Sequence, residues 1–284
     1  MPPSPLQQAR RVGIALGSGG ARGLAHIGVL RALAAAGIRP AVYAGSSMGA
    51  IVGAFAAAGR LDDLERFALS LRWPDLARYG DFTIAPGGVI QGQLFQRELA
   101  RLLAAPAFSD LPLPFRAVAT DLLSGEPVVL GTGDLPLALR ASSSIPGLFV
   151  PTPIGGRWLV DGALSDPVPV TTVRELGADF AIAVDVTPSP AETLPSRASR
   201  LSRLSRSSRP SAPSFPDIMA QTVRIAESRI AAESLRAAPP DLLLRPDVGA
   251  CPTLAFDRAA AVIRAGWDAA ARALAAAGHP LSAD

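Results

Sequence analysis

The pentad Gly45-Ser46-Ser47-Met48-Gly49 ends a short apolar, β-prone run over residues 41–45 and opens onto a second apolar stretch, so the chain must turn sharply here. It fits the pattern Gly-x-Ser-x-Gly, in which a central serine sits on a tight strand-to-helix turn and only very small flanking residues let the backbone fold back on itself. Ser47 is that central residue. Such a turn needs a strand before it and a helix after it, which points to an α/β chain. The pentad alone also fits an ordinary bend, and a serine hydroxyl without help is a poor nucleophile. What matters is what the rest of the chain can bring to Ser47.

Residues 11–16 read as a first strand. The glycine-rich turn Gly17-Ser18-Gly19-Gly20-Ala21-Arg22-Gly23 follows and opens a helix to about residue 36, with Leu24, Ile27, Leu30 and Leu33 at helical spacing and Gly37 as its stop. With the strand at 41–45 and a helix over 48–58, this is a β-turn-α-β-turn-α unit with two parallel strands. Amphipathic helices are expected over 61–71 and 93–104, a hairpin over 115–122 and 127–130, and a short helix over 135–143. An apolar loop over 145–151 precedes a strand at 157–160, a helix at 168–176 and a buried strand at 180–186. Residues 188–216, rich in Ser, Pro and Arg, read as a mobile loop, followed by a helix to 236, a strand at 241–245 and a last helix over 256–277. The expectation is one domain over residues 1–284, a three-layer α/β/α arrangement around a mainly parallel sheet.

No run reaches the roughly 18 uncharged apolar residues a membrane span requires, and no apolar leader region precedes the first strand. A cytoplasmic location is the expectation. Cys251 is the only cysteine, which excludes an internal disulfide and a cysteine-based metal site. No metal or cofactor is expected, nor a nucleic acid partner; oligomeric state is not encoded legibly. The net charge is +3, and all 27 basic residues are arginine. Arg197, Arg200, Arg203, Arg206 and Arg209 recur every third residue with no acid between them. Two readings stand for that segment, a solvated loop and a peripheral contact with an anionic membrane at its inner face.

A serine nucleophile usually takes a histidine base, and the chain has only His26 and His279. His26 lies on the first helix, where a packed or hydrogen-bonded role is the plainer one. His279, in the tail, could complete a Ser, acid, His order. Asp161 ends a short strand and is followed by Gly162-Ala163, small residues that let another element approach, and strand ends are where ligands sit in open α/β sheets. An aspartate acting as base must be held dry to raise its proton affinity; an Asp-Gly turn is the structural alternative. Asp121, Asp166 and Asp185 share that ambiguity. The loop over 17–23 can aim backbone N–H groups into one concavity at a helix N-terminus, where negative charge is favoured. A dinucleotide fingerprint fails because Arg22 occupies the sixth position, and a Walker A loop fails for want of lysine.

Four blocks, GSGGARGLAHIGVL at 17–30, GSSMG at 45–49, ASSSIPGLFVP at 141–151 and DGAL with PVPV over 161–170, occur in an order that resembles the patatin-like phospholipases, particularly bacterial members. The resemblance implies a patatin-like fold and a Ser-Asp dyad with Ser47 as nucleophile and Asp161 as base. It also implies an oxyanion hole lined by Gly19, Gly20 and Ala21 with Arg22 beside it, supported by Gly17, Gly45, Gly49 and Gly162. The family's asparagine before the PVP-type stretch is replaced by Asp166-Pro167. The implied substrate is a phospholipid or other fatty acyl ester, cut by phospholipase A, lysophospholipase or carboxylesterase chemistry through an acyl-enzyme. A non-catalytic lipid-binding or regulatory protein and a Ser-His-Asp triad hydrolase are the alternatives. An acyl channel could be lined by residues 145–151 and by the aromatic stretch from Trp73 to Tyr79, with core packing as the other reading.

Overall fold

The computed structural model describes residues 6, 9–71, 81, 88–187 and 215–279. The five arginines from Arg197 to Arg209 and the aromatic stretch from Trp73 to Tyr79 lie outside them. Strand β1 (Val12–Leu16) leads through a 3-10 turn (Gly20–Leu24) into α1 (Ala25–Ala35), and β2 (Val42–Ser46) into α2 (Met48–Ala57). Helices α3 (Leu61–Ser70) and α4 (Gln93–Leu103) precede β3 (Phe115–Asp121), β4 (Pro127–Leu130), α5 (Leu135–Ser142), β5 (Thr152–Ile154) and β6 (Arg157–Asp161). Then come α6 (Val170–Glu175), β7 (Phe180–Val184), α7 (Phe215–Ala237), β8 (Leu242–Leu244) and α8 (Ala259–Ala276).

The described strands form one eight-stranded sheet in which β3, β2, β1, β7 and β8 run parallel, while β4 and β6 pair antiparallel with β3 and β5 pairs antiparallel with β6. The pleat sorts side chains by size. Ile14, Leu16, Tyr43, Ile182 and Val184 enter the larger core beneath α1, α2 and α8, whereas Ala15, Ala44, Ala181 and Ala183 face α6 and α7. Alternation of bulky and small residues along β1 and β7 thus contributes to two separate cores on the two faces, and hence to the expected three layers. Each fully buried Ile, Leu or Phe contributes about 1.5–3 kcal/mol of transfer free energy.

Helix starts follow local chemistry. Asp134 caps α5 by accepting from Leu137 N at 2.8 Å, with Pro136 in the first turn, and Asp81 accepts from the N–H groups of Gly92 and Gln93 at the start of α4. Two expectations are corrected. Strand β5 was not anticipated: it has three residues, one of them Pro153, which is tolerated because β5 pairs only with β6 and so forms the sheet's edge. Helix α7 begins at Phe215, two residues inside the stretch expected to be loop.

Candidate active site

The geometry around Ser47 follows from strand pairing. Ala117 of β3 pairs with both Gly45 of β2 and Leu130 of β4, and Ala119 pairs with both Val128 of β4 and Asp161 of β6. A strand has two edges, so β4 occupies one of them, and β2 and β6 share the other. The C-terminal ends of β2 and β6 therefore meet head to head on β3. This brings Ser47 Oγ to 2.7 Å from Asp161 Oδ2 across 114 residues of sequence.

The elbow itself is strained. Ser47 has φ 54° and ψ −123°, a positive φ that only one other non-glycine residue, Ala104, adopts among those described. Its amide is held through α5: Ser47 N–H donates to Ser142 Oγ at 2.9 Å, and the Ser142 hydroxyl donates in turn to Val118 O at 2.6 Å. The flanking glycines have steric reasons. A Cβ on Gly45 would strike the Gly49 carbonyl, and a Cβ on Gly49 would strike the carbonyl oxygens of Leu16 and Gly17.

Asp161 is 3% exposed. Its Oδ1 accepts from Ala163 N at 2.9 Å, its backbone N–H donates to Ser144 O at 3.0 Å, and Gly162 lies tight against Val118 O. Burial pushes its carboxyl up to about 7; the hydrogen bonds from Ala163 N–H and Ser47 pull the other way, and the nearby charge of Glu227 adds to the rise. Helix α5 and the residues after it thus grip both partners, Ser142 holding the serine's amide and Ser144 the aspartate's. Arg140 braces this segment from within. It is buried, donates to Ser144 Oγ at 2.7 Å and to the carbonyls of Gln91 and Val150, and lies over the Phe149 ring at 4.7 Å. Phe149 also stacks on Phe95, so this part of the apolar loop is packing against α4.

The glycine loop lies directly against the elbow, since a Cβ on Gly23 would meet Met48. Its N–H groups are not equivalent. Gly17 donates to Val184 O, Ser18 to Pro167 O, Ala21 to Thr253 O and Arg22 to Gly19 O, whereas no described carbonyl accepts from Gly19 or Gly20. The amides of Ala21 and Arg22 are thus engaged with carbonyls, and those of Gly19 and Gly20 have no described carbonyl partner. The Arg22 side chain is buried and donates to Val186 O at 3.2 Å and Thr253 Oγ1 at 3.3 Å, tying the loop to the residues just after β7 and to the segment before α8.

The remaining candidates have other partners. His26 Nε2 is 2.7 Å from Gly17 O, and complete burial lowers its imidazole to about 4, so it is neutral at ordinary pH and donates that bond. His279 follows α8, with its N–H on Leu274 O. Asp121 accepts from Leu123 N in its own turn, Asp185 pairs with Arg245 at 3.1 Å, and Asp166 accepts from Ser234 Oγ. Of the four aspartates weighed from sequence, Asp161 is the one bonded to Ser47. Cys251 is buried, and among the described residues no group of three or more His, Cys, Asp or Glu is placed to hold a metal ion.

With this geometry in place, the comparison with known families is decisive: the patatin-like phospholipase model matches residues 14–174, more than half the chain. The chain belongs to the patatin-like phospholipase family. An uncharacterized NTE family protein of Mycobacterium tuberculosis is 44% identical over 181 residues, covering 64% of this chain and 50% of that protein. Lysophospholipase nte1 of Aspergillus fumigatus is 33% identical over 192 residues, covering 62% of this chain and 12% of that protein. The patatin-like chain thus spans about half the length of its mycobacterial relatives and a small part of the fungal ones. The crystal structure of VipD from Legionella pneumophila superposes with a TM-score of 0.52 over 94% of this chain and 67% of that one, at 14% identity, a likeness of fold. The family match contains the glycine loop, Ser47, the α5 brace and Asp161, and it ends before α7. No described helix is long and apolar enough to cross a membrane.

Sequence reasoning missed Ser142, Ser144 and Arg140 as supports, although all but Arg140 lie in the ASSSIPG block that carried the resemblance. Nor did it mark Glu227 as a buried carboxylate whose charge acts on Asp161. That residue sits on an amphipathic helix where nothing in the periodicity distinguishes a carboxylate turned inward.

Proposed function

We propose that this chain is a serine hydrolase of lipid acyl esters that works through Ser47 and Asp161. The observation that carries the reading is the 2.7 Å bond from Ser47 Oγ to a fully buried carboxylate whose proton affinity is lifted to about 7. Asp161 Oδ2 accepts the Ser47 proton as Oγ attacks the ester carbonyl. The Gly19 and Gly20 N–H groups take the charge that develops on the carbonyl oxygen. Collapse expels the alcohol, protonated by Asp161, and leaves an acyl-serine. A water then gives its proton to Asp161, attacks the acyl carbon and releases the fatty acid, restoring the Ser47 hydroxyl.

The neutral, buried His26 has no part in these steps, and Asp161 needs no imidazole between it and the serine. The family membership and the lysophospholipase names of the fungal relatives support a phospholipid or lysophospholipid as substrate. Contact of the segment from Arg197 to Arg209 with an anionic membrane belongs to the same proposal on its sequence pattern alone.

Because Asp161 must be ionised to accept a proton, kcat/KM should rise from the acid side with an apparent pKa near 7 and reach a plateau above it. The test is fatty acid release from a lysophospholipid and a diacyl phospholipid, together with hydrolysis of a nitrophenyl ester between about pH 5 and 9. A profile that is flat across that range, or no acyl release from any of the three, would count against the mechanism.

A further inference from the structure

Helix α7 lies beyond the residues that match the family, and it turns one face onto the site. Glu227, 6% exposed, accepts a hydrogen bond from Ser18 Oγ at 2.5 Å. Ser234, two helical turns later and so on the same face, donates to Asp166 Oδ1 at 2.6 Å. Both bonds end beside the reacting groups. Ser18 immediately precedes Gly19 and Gly20, and the Asp166 carbonyl accepts from Ser46 Oγ at 2.5 Å, the residue before the nucleophile.

A carboxyl group in so dry a position costs free energy that an apolar side chain would not. The rest of this face needs no such group: Ala231 and Leu235 make ordinary apolar contact with the sheet. Burial pushes the Glu227 carboxyl upward, and Asp185 adds to this, while the Ser18 bond and the charges of Arg22 and Arg224 oppose it. The steps described for ester cleavage do not use Glu227. Its hydrogen bond from Ser18 ties it to the loop in which no described carbonyl accepts from the Gly19 or Gly20 N–H groups.

We propose that Glu227 is a positioning residue for ester cleavage: through Ser18 Oγ it fixes the turn that presents the Gly19 and Gly20 N–H groups, while Ser234 steadies the segment behind Ser46. This rests on the hydrolase reading above. Donors to a developing oxyanion act in the transition state more than in the ground state, and their value depends on being fixed before reaction. Loosening the turn should therefore lower kcat and leave KM nearly unchanged.

The test uses the full chain with Glu227→Ala, Glu227→Gln, Ser18→Ala and the Ser18→Ala/Glu227→Ala double variant, measuring kcat, KM and melting temperature with a short-chain nitrophenyl ester. Glu227→Ala should lower kcat by about tenfold to a hundredfold with KM within about twofold. Glu227→Gln, whose amide oxygen can accept the same bond, should recover most of the loss. Ser18→Ala should reproduce the defect, and the double variant should be no worse than the worse single, as expected for two ends of one interaction. Wild-type kcat in Glu227→Ala, failure of Gln to rescue, or losses that simply add would overturn the proposal. If Glu227→Ala does not fold, Ser18→Ala decides alone, and a wild-type kcat there overturns it. A wild-type protein that neither turns over ester nor labels at Ser47 with a fluorophosphonate overturns the hydrolase reading and this inference with it; an active wild type with indifferent variants overturns only the role of Glu227.

Discussion

Asp161→Asn should lose ester turnover by at least about a thousandfold and yet melt at a higher temperature than the wild type above pH 7. The loss follows from the proton: an amide in the same place can still hydrogen-bond Ser47 Oγ but cannot take its hydrogen. The gain follows from linkage. The carboxyl titrates near its ordinary value of 3.8 when unfolded and at about 7 when folded, because burial disfavours the charged form. Between those values the folded chain holds a proton that the unfolded chain has released, so this group's contribution to stability falls as pH rises through the window. Above about pH 7 the full cost is present, on the order of a few kcal/mol, and asparagine carries none of it. Measuring kcat and melting temperature of both proteins at pH 8 checks the two halves together. A variant that is less stable than the wild type at that pH, or that keeps appreciable turnover, would contradict the picture of an aspartate held dry for use as a base.

Gly49→Ala should be strongly destabilised and accumulate poorly as a folded protein. The added methyl would collide with the Leu16 and Gly17 carbonyl oxygens, which are backbone atoms at the end of β1 and cannot rotate away. Relief would require moving α2 off the sheet or shifting the loop that carries Gly19 and Gly20, so that folding and the site fail together. A destabilisation of about 3 kcal/mol or more is expected for overpacking against rigid backbone, against a total stability of about 5–15 kcal/mol. Gly59→Ala is the control: its φ is +67° but a Cβ would meet nothing within 4 Å, so only the backbone cost, about 1 kcal/mol, applies. Soluble yield and thermal melting of the two variants separate the cases. A Gly49→Ala protein with wild-type melting and turnover would show that the elbow has room the structure denies it.

What could be read from the residues was local. The Gly-x-Ser-x-Gly turn, the glycine loop before α1 and the strand-end Asp161-Gly162 are short-range patterns, each bounded by its own steric and dihedral demands, and the elements around them fall where spacing put them. What could not be read depends on sheet order. Nothing near position 161 says that β6 continues the edge of β3 where β2 leaves off, and that pairing is what turns two separate motifs into one bonded pair. The hydrogen bonding of the glycine loop has the same origin. The Ala21 amide is occupied by Thr253 and Ser18 is held by Glu227, both more than 200 residues away. Helical periodicity marks which face of α7 is buried but not that a carboxylate on that face meets a hydroxyl rather than a methyl. Strand β5 escaped because three residues with a central proline carry almost no alternation.

The central claim is that Ser47 is an activated nucleophile and Asp161 its base. Fluorophosphonate labelling of the full chain, read by peptide mass spectrometry, tests it most directly, since the probe reacts with serines whose hydroxyl is activated. The adduct should appear on Ser47, vanish in Ser47→Ala, and form far more slowly in Asp161→Asn. An adduct on another serine, or equal labelling of Ser47 with and without the Asp161 carboxylate, would contradict it.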